Sequence, residues 1–284
     1  MKEFIEKAEV LVEAIPYIQQ FRHKLFVVKY GGSILDQEEI RKYVFQDIVF
    51  LSYVGIRVIV VHGGGPHISS RLKEKGLKAE FHDGIRVTDA QTLEIVSEEL
   101  GKLNGQIVEE IKALQGDVTG LKGEENIIHV VKKQADKDLG FVGTITNVER
   151  KVIEQHLQQG QITVISPLGV SNENQPHNVN ADEAASAIAT SLDAEKFVLL
   201  TDVKGVLRDE KNSSSLLSTL TTSEVDELIN TKVIQGGMIP KVSACTEALQ
   251  GGVHKTHIID ARIRHALLLE FFTDQGIGTQ IVKG

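Results

Sequence analysis

One cysteine, five prolines, two methionines and no tryptophan occur among 284 residues, and each shortage closes off a class of protein. A lone Cys245 permits no internal disulfide, so a chain of this length must rely on a buried core. A single thiol suits a reducing compartment, and cytoplasm is the expected location. Basic residues are also in deficit, 31 against 39 acidic, leaving a formal charge of −8. That balance argues against nucleic acid or an anionic membrane as the main partner, and any anion site has to be locally focused. No apolar run approaches a membrane span, and the acidic start, with Glu3, Glu6, Glu9 and Glu13, lacks the basic head and apolar core of a signal peptide. Several signatures are missing as well. There is no G-x-x-x-x-G-K-[ST], no protein-kinase catalytic-loop set, and no third glycine after Gly63-x-Gly65 to complete a dinucleotide fingerprint. His62-Gly63-Gly64-Gly65 is like an esterase oxyanion loop, but the G-x-S-x-G elbow is absent. With no H-E-x-x-H and no cysteine ligand set, the pair His254 and His257 reads as structural.

What is present centres on Phe26-Val27-Val28-Lys29-Tyr30-Gly31-Gly32-Ser33, an apolar β-type run that ends in a lysine and drops into a glycine pair. Glycines let backbone N–H groups approach an anion closely, so a cation and bare amides share one strand end. The pattern recurs at Ile59-Val60-Val61-His62-Gly63-Gly64-Gly65-Pro66, where Pro66 suits the first turn of a helix. Two anion cradles on parallel strands imply one negatively charged reaction centre.

Along the chain, Phe4, Ile5, Ala8, Leu11, Val12 and Ile15 form an apolar helical stripe that should kink or stop near Pro16. The stripe admits a helix packed on its own domain or a self-association arm, and the pattern alone favours the former. Asp36 with Glu39 resembles a capping box for a helix to about Val54, and Thr88 with Gln91 another for a helix to about Gln115. Between them lie a strand over 56–61, a helix over 66–75 and a hairpin at 81–87 around Asp83-Gly84. Strands are expected at 127–132, 141–148 and 161–168, with a helix over 149–158. Ser171–Asn180, with four asparagines, reads as a long functional loop and marks the lobe boundary. A helix at 181–192, a strand at 196–202, a mobile polar loop at 210–215 and a short helix at 224–230 follow. Gly236-Gly237-Met238-Ile239-Pro240-Lys241 makes a third glycine loop at a helix start, and strands at 255–260 and 279–282 flank a helix through Leu269. Strands alternating with helices make an α/β fold with a mostly parallel sheet covered on both faces.

Single residues have plain readings beside functional ones. Lys29 could snorkel at a strand end, but the adjacent glycine pair favours an anion site. Arg86 could be solvated, or its fork could clamp a substrate carboxylate. Asn178 and Asp182 flank a helix start and could be simple caps. Cys245 reads as a small buried hydrophobe.

Lys29-Tyr30-Gly31-Gly32, Val61-His62-Gly63-Gly64-Gly65-Pro66, Gly84-Ile85-Arg86-Val87-Thr88, Asn178-Val179-Asn180-Ala181-Asp182 and Gly236-Gly237-Met238-Ile239-Pro240-Lys241 occur in this order, with Leu200-Thr201-Asp202-Val203-Lys204-Gly205-Val206 between the last two. From about Leu25 to the end, the chain thereby resembles the amino acid kinase family, and within it the members that phosphorylate N-acetyl-L-glutamate. The resemblance implies an αβα sandwich with residues 25–180 binding N-acetyl-L-glutamate and 181–284 binding ATP. It implies that Lys29 and Lys241 meet the transferring phosphoryl group from opposite sides, ordered by Asp182, with the Gly32 and Gly65 amides on its oxygens. Gly64 would contact the reacting carboxylate, while Arg86 and Asn178 hold the α-carboxylate. Gly31, Gly32, Asp202, Gly205, Gly237, Met238 and Lys241 would serve the nucleotide, whose phosphates carry Mg²⁺, so no protein metal ligand is assigned. Relatives acting on glutamate, aspartate, carbamate or UMP, or an idle ligand sensor on the same fold, are the alternatives. The chain departs from the family at Gly120–Asn126, read as a turn, and at His177, where tyrosine is common. Arginine-inhibited members resemble it in an extra N-terminal helix and in a signature like His265, Glu270, Gly276, Gly278 and Thr279. Residues 1–24 are thus expected to build a hexameric ring, reversing the preference drawn from the pattern alone, with L-arginine binding beside them as inhibitor.

Overall fold

The computed structural model describes the backbone of all 284 residues and every side chain except those of Glu3, Lys7 and Ser33. In chain order the elements are α1 (Lys2–Glu13), α2 (Ile15–Phe21), β1 (Leu25–Tyr30), α3 (Glu38–Tyr53), β2 (Arg57–His62), α4 (Gly65–Glu74), β3 (Phe81–His82), β4 (Ile85–Arg86), α5 (Ala90–Ala113), β5 (Val118–Lys122), β6 (Ile128–Lys132) and β7 (Gly143–Val148). They continue with α6 (Arg150–Gln158), β8 (Ile162–Ser166), β9 (Leu168–Val170), β10 (Pro176–Asn178), α7 (Ala181–Ser191), β11 (Lys196–Thr201), β12 (Thr219–Thr221), α8 (Thr222–Asn230), α9 (Met238–Gln250), β13 (Lys255–Asp260), α10 (Ala266–Phe271) and β14 (Thr279–Val282).

Eight strands form the central sheet in the order β12-β14-β13-β11-β1-β2-β8-β5, and every neighbouring pair is parallel except β13 with β14. The strands read as near-continuous apolar runs because both faces are covered. Leu25 and Val27 of β1 pack with α7 and α9, whereas Phe26, Val28 and Tyr30 pack with α3, α5 and α10. The same alternation sorts Phe197 and Leu199 from Val198 and Leu200 on β11. This is the αβα sandwich, and it brings the loops after β1 and β2 to one sheet end.

A second sheet, β10-β9-β6-β7, contains the expected strands at 127–132 and 141–148 as the antiparallel pair β6 and β7, but its other two strands differ from the sequence expectations. The run 161–168 does not stay in the central sheet: it ends at Ser166, and past Pro167 the chain enters β9. The expected loop 171–180 is half hairpin, since β10 pairs antiparallel with β9. Of the turn expected over 120–126, residues 123–126 do turn but 120–122 belong to strand β5; Gly120 serves close packing, because a Cβ there would stand 2.3 Å from Asn104 Oδ1. Both expected capping boxes are displaced. Gln37, without a side-chain cap, starts α3 after a 3₁₀ turn over 33–36. Asp89 caps α5 by accepting from Thr92 N at 2.8 Å, while buried Thr88 turns its hydroxyl to the Arg86 carbonyl. The loop at 210–215 is internally tied, Ser215 Oγ donating to Asn212 O at 2.7 Å.

The N-terminal helix breaks at Ala14, with Pro16 in the first turn of α2, as expected. Its stripe is not covered by its own domain: Phe4, Leu11 and Val12 remain 70%, 69% and 62% exposed. No helix among the described residues is long and apolar enough to cross a membrane.

The chain just past the β3–β4 hairpin is tied to the segment leading into β7 by the bridge between Thr88 and Gly140, where Phe141 N donates to Thr88 O at 2.7 Å. Gly140 has φ +73°, and a Cβ there would lie 2.2 Å from the Thr88 carbonyl oxygen. Gly160, at φ +81°, has open space around it. Gly160→Ala should therefore cost about 1 kcal/mol of backbone strain and Gly140→Ala clearly more, about 2–3 kcal/mol. Urea-unfolding midpoints of the two variants check this, and equal losses would contradict it.

Candidate active site

The strand ends of β1 and β2 are pressed together by what their glycines lack. Gly63 N donates to Tyr30 O at 2.8 Å, and a Cβ on Gly31 would meet Gly63 Cα and N at 3.1 Å. Gly64 likewise has no room for a Cβ, 2.6 Å from Leu100 Cδ2, and Gly32 sits at φ +85°. The two cradles therefore form one surface, and Pro66 falls in the first turn of α4.

Helix α7 starts opposite them. Its cap is Asn180, whose side chain accepts from Asp182 N at 2.8 Å and Glu183 N at 3.2 Å. The capping task falls to neither Asn178 nor Asp182, so both are left for other work. Asp182 Oδ1 lies 2.9 Å from the Lys29 ammonium, with both side chains nearly buried. It is a charge contact without hydrogen-bond alignment. Asn178 donates to Thr88 Oγ1 at 3.1 Å, and Thr88 donates to Arg86 O at 2.9 Å, so the hairpin arginine and the asparagine are tied together.

Arg86 is buried, and burial lowers its guanidinium below the ordinary arginine value. Nη2 donates to Gly65 O at 3.1 Å and Ser69 Oγ at 2.8 Å, and the guanidinium lies 4.7 Å from the centre of the Phe81 ring. Nη1 has no hydrogen-bond partner. A buried cationic donor left unpaired is costly unless an anion arrives.

Lys29, Gly32, Gly64, Gly65, Arg86, Asn178 and Asp182 all line one cavity of about 230 Å³. Gly205 and Met238 line a second, of about 240 Å³, walled by Val206, Leu207, Val233 and Ile234. Lys241, one turn into α9, lines neither of these cavities; its ammonium lies 3.4 Å from Gly237 O. Four residues on, the buried Cys245 thiol is raised to about 12, by burial first and with the Asp182 carboxylate adding to it. Asp202 stands exposed at the end of β11, within electrostatic reach of Arg262.

The third group of sequence-chosen residues divides. Glu270, Gly276 and Gly278 line a cavity of about 320 Å³ beside Tyr17 and Phe21 of α2. His265 and Thr279 do not: His265 Nδ1 bonds Asp47 Oδ1 at 2.6 Å, and buried Thr279 Oγ1 accepts from Val206 N. Sequence reasoning missed Lys196 and Lys255 in that cavity. Burial, with Lys255 nearby, lowers the Lys196 ammonium to about 8. A lysine opening an apolar strand run was the available signal. Of the two departures, His177 is buried against Phe141, and Gly123 is forced, since a Cβ would stand 1.9 Å from Leu168 O.

The ligand-ready surface suits oxyanions, with ammonium, guanidinium and amide donors. Among the described residues one grouping, His82, Asp83 and Asp136, has metal-ligand spacing. It lies on the outer side of the hairpin, with His82 Nε2 bonded to Asp136 Oδ1 at 2.6 Å.

Comparison with known proteins follows the same lines. The pattern of the amino acid kinase family matches residues 24–260. The chain is 48% identical over 282 residues to an acetylglutamate kinase of Desulforamulus reducens, covering 98% of each. It is 46% identical over 286 residues to one of Trichormus variabilis, covering 99% of this chain and 96% of the relative. Among solved structures it is similar to N-acetylglutamate synthase of Neisseria gonorrhoeae complexed with coenzyme A and N-acetyl-glutamate, with a TM-score of 0.87 and 28% identity. That match covers 98% of this chain but 63% of the synthase. A carbamate kinase of Giardia lamblia bound to AMP-PNP, 16% identical with a TM-score of 0.68 over 92% of this chain and 99% of that one, shares the fold.

Cys245 offers a direct check on how tightly α7 and α9 close around Asp182. A thiol raised to about 12 holds almost no thiolate at pH 8, so a disulfide reagent should leave the native chain unlabelled and titrate one thiol after denaturation. Rapid native labelling would show that α9 opens away from α7.

Proposed function

The chain belongs to the amino acid kinase family, within its acetylglutamate kinases, and from that membership we propose that it transfers the γ-phosphoryl group of ATP to the γ-carboxylate of N-acetyl-L-glutamate in arginine biosynthesis. The product is N-acetyl-L-glutamyl 5-phosphate. The observation that carries the substrate assignment is a single cavity holding both the Lys29–Asp182 pair and a buried Arg86 with Nη1 unpaired. A dicarboxylate satisfies both ends, one carboxylate at Lys29 and Gly64 and the α-carboxylate at Arg86 and Asn178. Carbamate, with one carboxylate, would leave Arg86 unpaired. Unacetylated glutamate would bring an ammonium into a cavity already carrying two cations, whereas the acetyl group removes that charge and meets apolar lining such as Ile68 and Leu100.

An ionised carboxylate needs no general base; repulsion between it and the phosphate chain is what opposes reaction. The carboxylate oxygen forms a bond to the γ-phosphorus as the bond to the β–γ bridging oxygen breaks, and ADP leaves with the electron pair. Lys29 and Lys241 meet the transferring group from opposite sides, Asp182 orders both ammoniums, and the Gly32 and Gly65 amides face its oxygens. The apolar cavity at Gly205 and Met238 takes the nucleotide base, and Gly31, Gly237 and Asp202 are assigned to the nucleotide by the family resemblance. Mg²⁺, held by the nucleotide phosphates, withdraws further charge when bound.

Regulation belongs to the other cavity. We infer that L-arginine binds between α2 and the 270–280 segment and inhibits, its carboxylate toward Lys196 and Lys255 and its cationic end toward Asp274 and Glu270. Glu270 also accepts from Ile277 N at 2.7 Å and Gly278 N at 3.0 Å, so it shapes the loop as well as supplying charge. The exposed stripe of α1 provides the surface that joins dimers into a hexamer.

Coupled ADP release with N-acetyl-L-glutamate against glutamate tests the reaction, and equal rates on the two would defeat the substrate assignment. Lys29→Ala and Lys241→Ala should each lower kcat on the order of 100-fold or more with smaller changes in KM, because their charges act on the transition state. Arg86→Ala should instead raise the KM for the amino acid. Near-normal kcat in either lysine variant removes that lysine from the mechanism. Deleting residues 1–21 should abolish the hexamer and arginine inhibition together, read by light scattering and by activity against added arginine; a deletion that stays hexameric contradicts the assembly.

A further inference from the structure

His62 closes β2 wholly buried beneath the second glycine loop, although phosphoryl transfer to a carboxylate has no use for an imidazole. Its two nitrogens face partners of opposite kind. Nδ1 lies 2.9 Å from the Gly63 carbonyl oxygen, which can only accept, so Nδ1 carries the proton. Nε2 lies 3.3 Å from the Asn104 amide nitrogen, which can only donate. The amide's own orientation is fixed from outside: its nitrogen also faces the carbonyls of Val164 at 3.2 Å and Leu121 at 3.4 Å. Backbone of β8 and β5 thus selects, through Asn104, one tautomer of one ring on β2. Burial lowers the imidazole to about 4, so at neutral pH it keeps a single proton.

Peptide planarity carries the effect into the cavity. In a trans peptide the carbonyl and the following N–H point in opposite directions. A Gly63 carbonyl turned inward onto His62 therefore turns the Gly64 N–H outward, and Gly64 lines the cavity. Both residues of that peptide are glycine, so no side chain resists a flip of its plane. We propose that His62 is a positioning residue for phosphoryl transfer: through the Gly63 carbonyl it holds the Gly64 amide aimed at the reacting carboxylate, and Asn104 holds His62 in the tautomer that can do so. The proposal rests on the phosphoryl-transfer reading for what the Gly64 amide meets.

Three variants of the full-length enzyme, assayed with N-acetyl-L-glutamate and MgATP, separate this role from simple packing. His62→Asn places an N–H near the position of Nδ1; His62→Gln and His62→Phe place none there. The Asn variant should keep kcat within about threefold of the unaltered enzyme, while Gln and Phe lose roughly 10- to 100-fold in kcat with the KM for ATP little changed. Packing alone would favour the larger Phe and would not sort Asn above Gln. A Gln variant as active as the Asn variant or more so, at any level of activity, overturns the assignment. Unaltered enzyme that consumes no ATP with N-acetyl-L-glutamate defeats the functional reading instead, a result distinct from any ranking of the variants.

Discussion

The ion pair between Lys29 and Asp182 is the contact on which the site depends, because it joins the end of the innermost strand pair to the start of the helix opposite. Lys29 is placed by β1, between β11 and β2 in the sheet, and Asp182 by α7, whose small residues Ala184, Ala185 and Ala189 let it lie close to that sheet. A nearly buried pair of this kind adds little net stability, since desolvation offsets most of its attraction, but losing one partner leaves a charge with no compensation. Its worth is positional. A carboxylate and a phosphate chain repel, and only charges held in advance, without reorganising water, can bring them together cheaply.

Everything around the pair preserves that fixed geometry. Asn180 takes the capping task, which leaves the carboxylate of Asp182 for Lys29. Glycines at 31 and 64 remove side chains where the backbone of the second loop or Leu100 comes close. Arg86 is tied through Thr88 to Asn178, so the hairpin that carries the arginine and the strand that carries the asparagine move as one. The exposed stripe of α1 and the charged cavity under α2 stand apart from this machinery, and arginine regulation is proposed from them.

Legibility in the sequence followed the range of the interactions. The glycine loops, the Asp83-Gly84 hairpin and the Pro16 break were readable because backbone conformation there is set by adjacent residues. The strands inside the central sheet were readable because they are covered on both faces and carry apolar runs, whereas β12 and β5 at its two edges, short or alternating with exposed residues, were not. In the second sheet β6 and β7 were readable, but β9 and β10 were not: they are three residues each, too short for any period to show. Caps were misplaced by a residue or more where several hydrogen-bonding side chains compete, as Thr88 and Asp89 do before α5. Least legible were partners far apart in the chain. Asn104 lies 42 residues from His62, and the buried neighbours of Glu270 and His265 come from folding alone.

In the proposed transfer, charge ordered by Asp182, rather than shape or proton transfer, lowers the barrier. Steady-state kinetics of Asp182→Asn measure it most directly, because the amide keeps the side chain's shape and removes only its charge. A fall in kcat on the order of 100-fold, with the KM values for N-acetyl-L-glutamate and ATP nearly unchanged, is the predicted result. A variant with kcat close to that of the unaltered enzyme would contradict it.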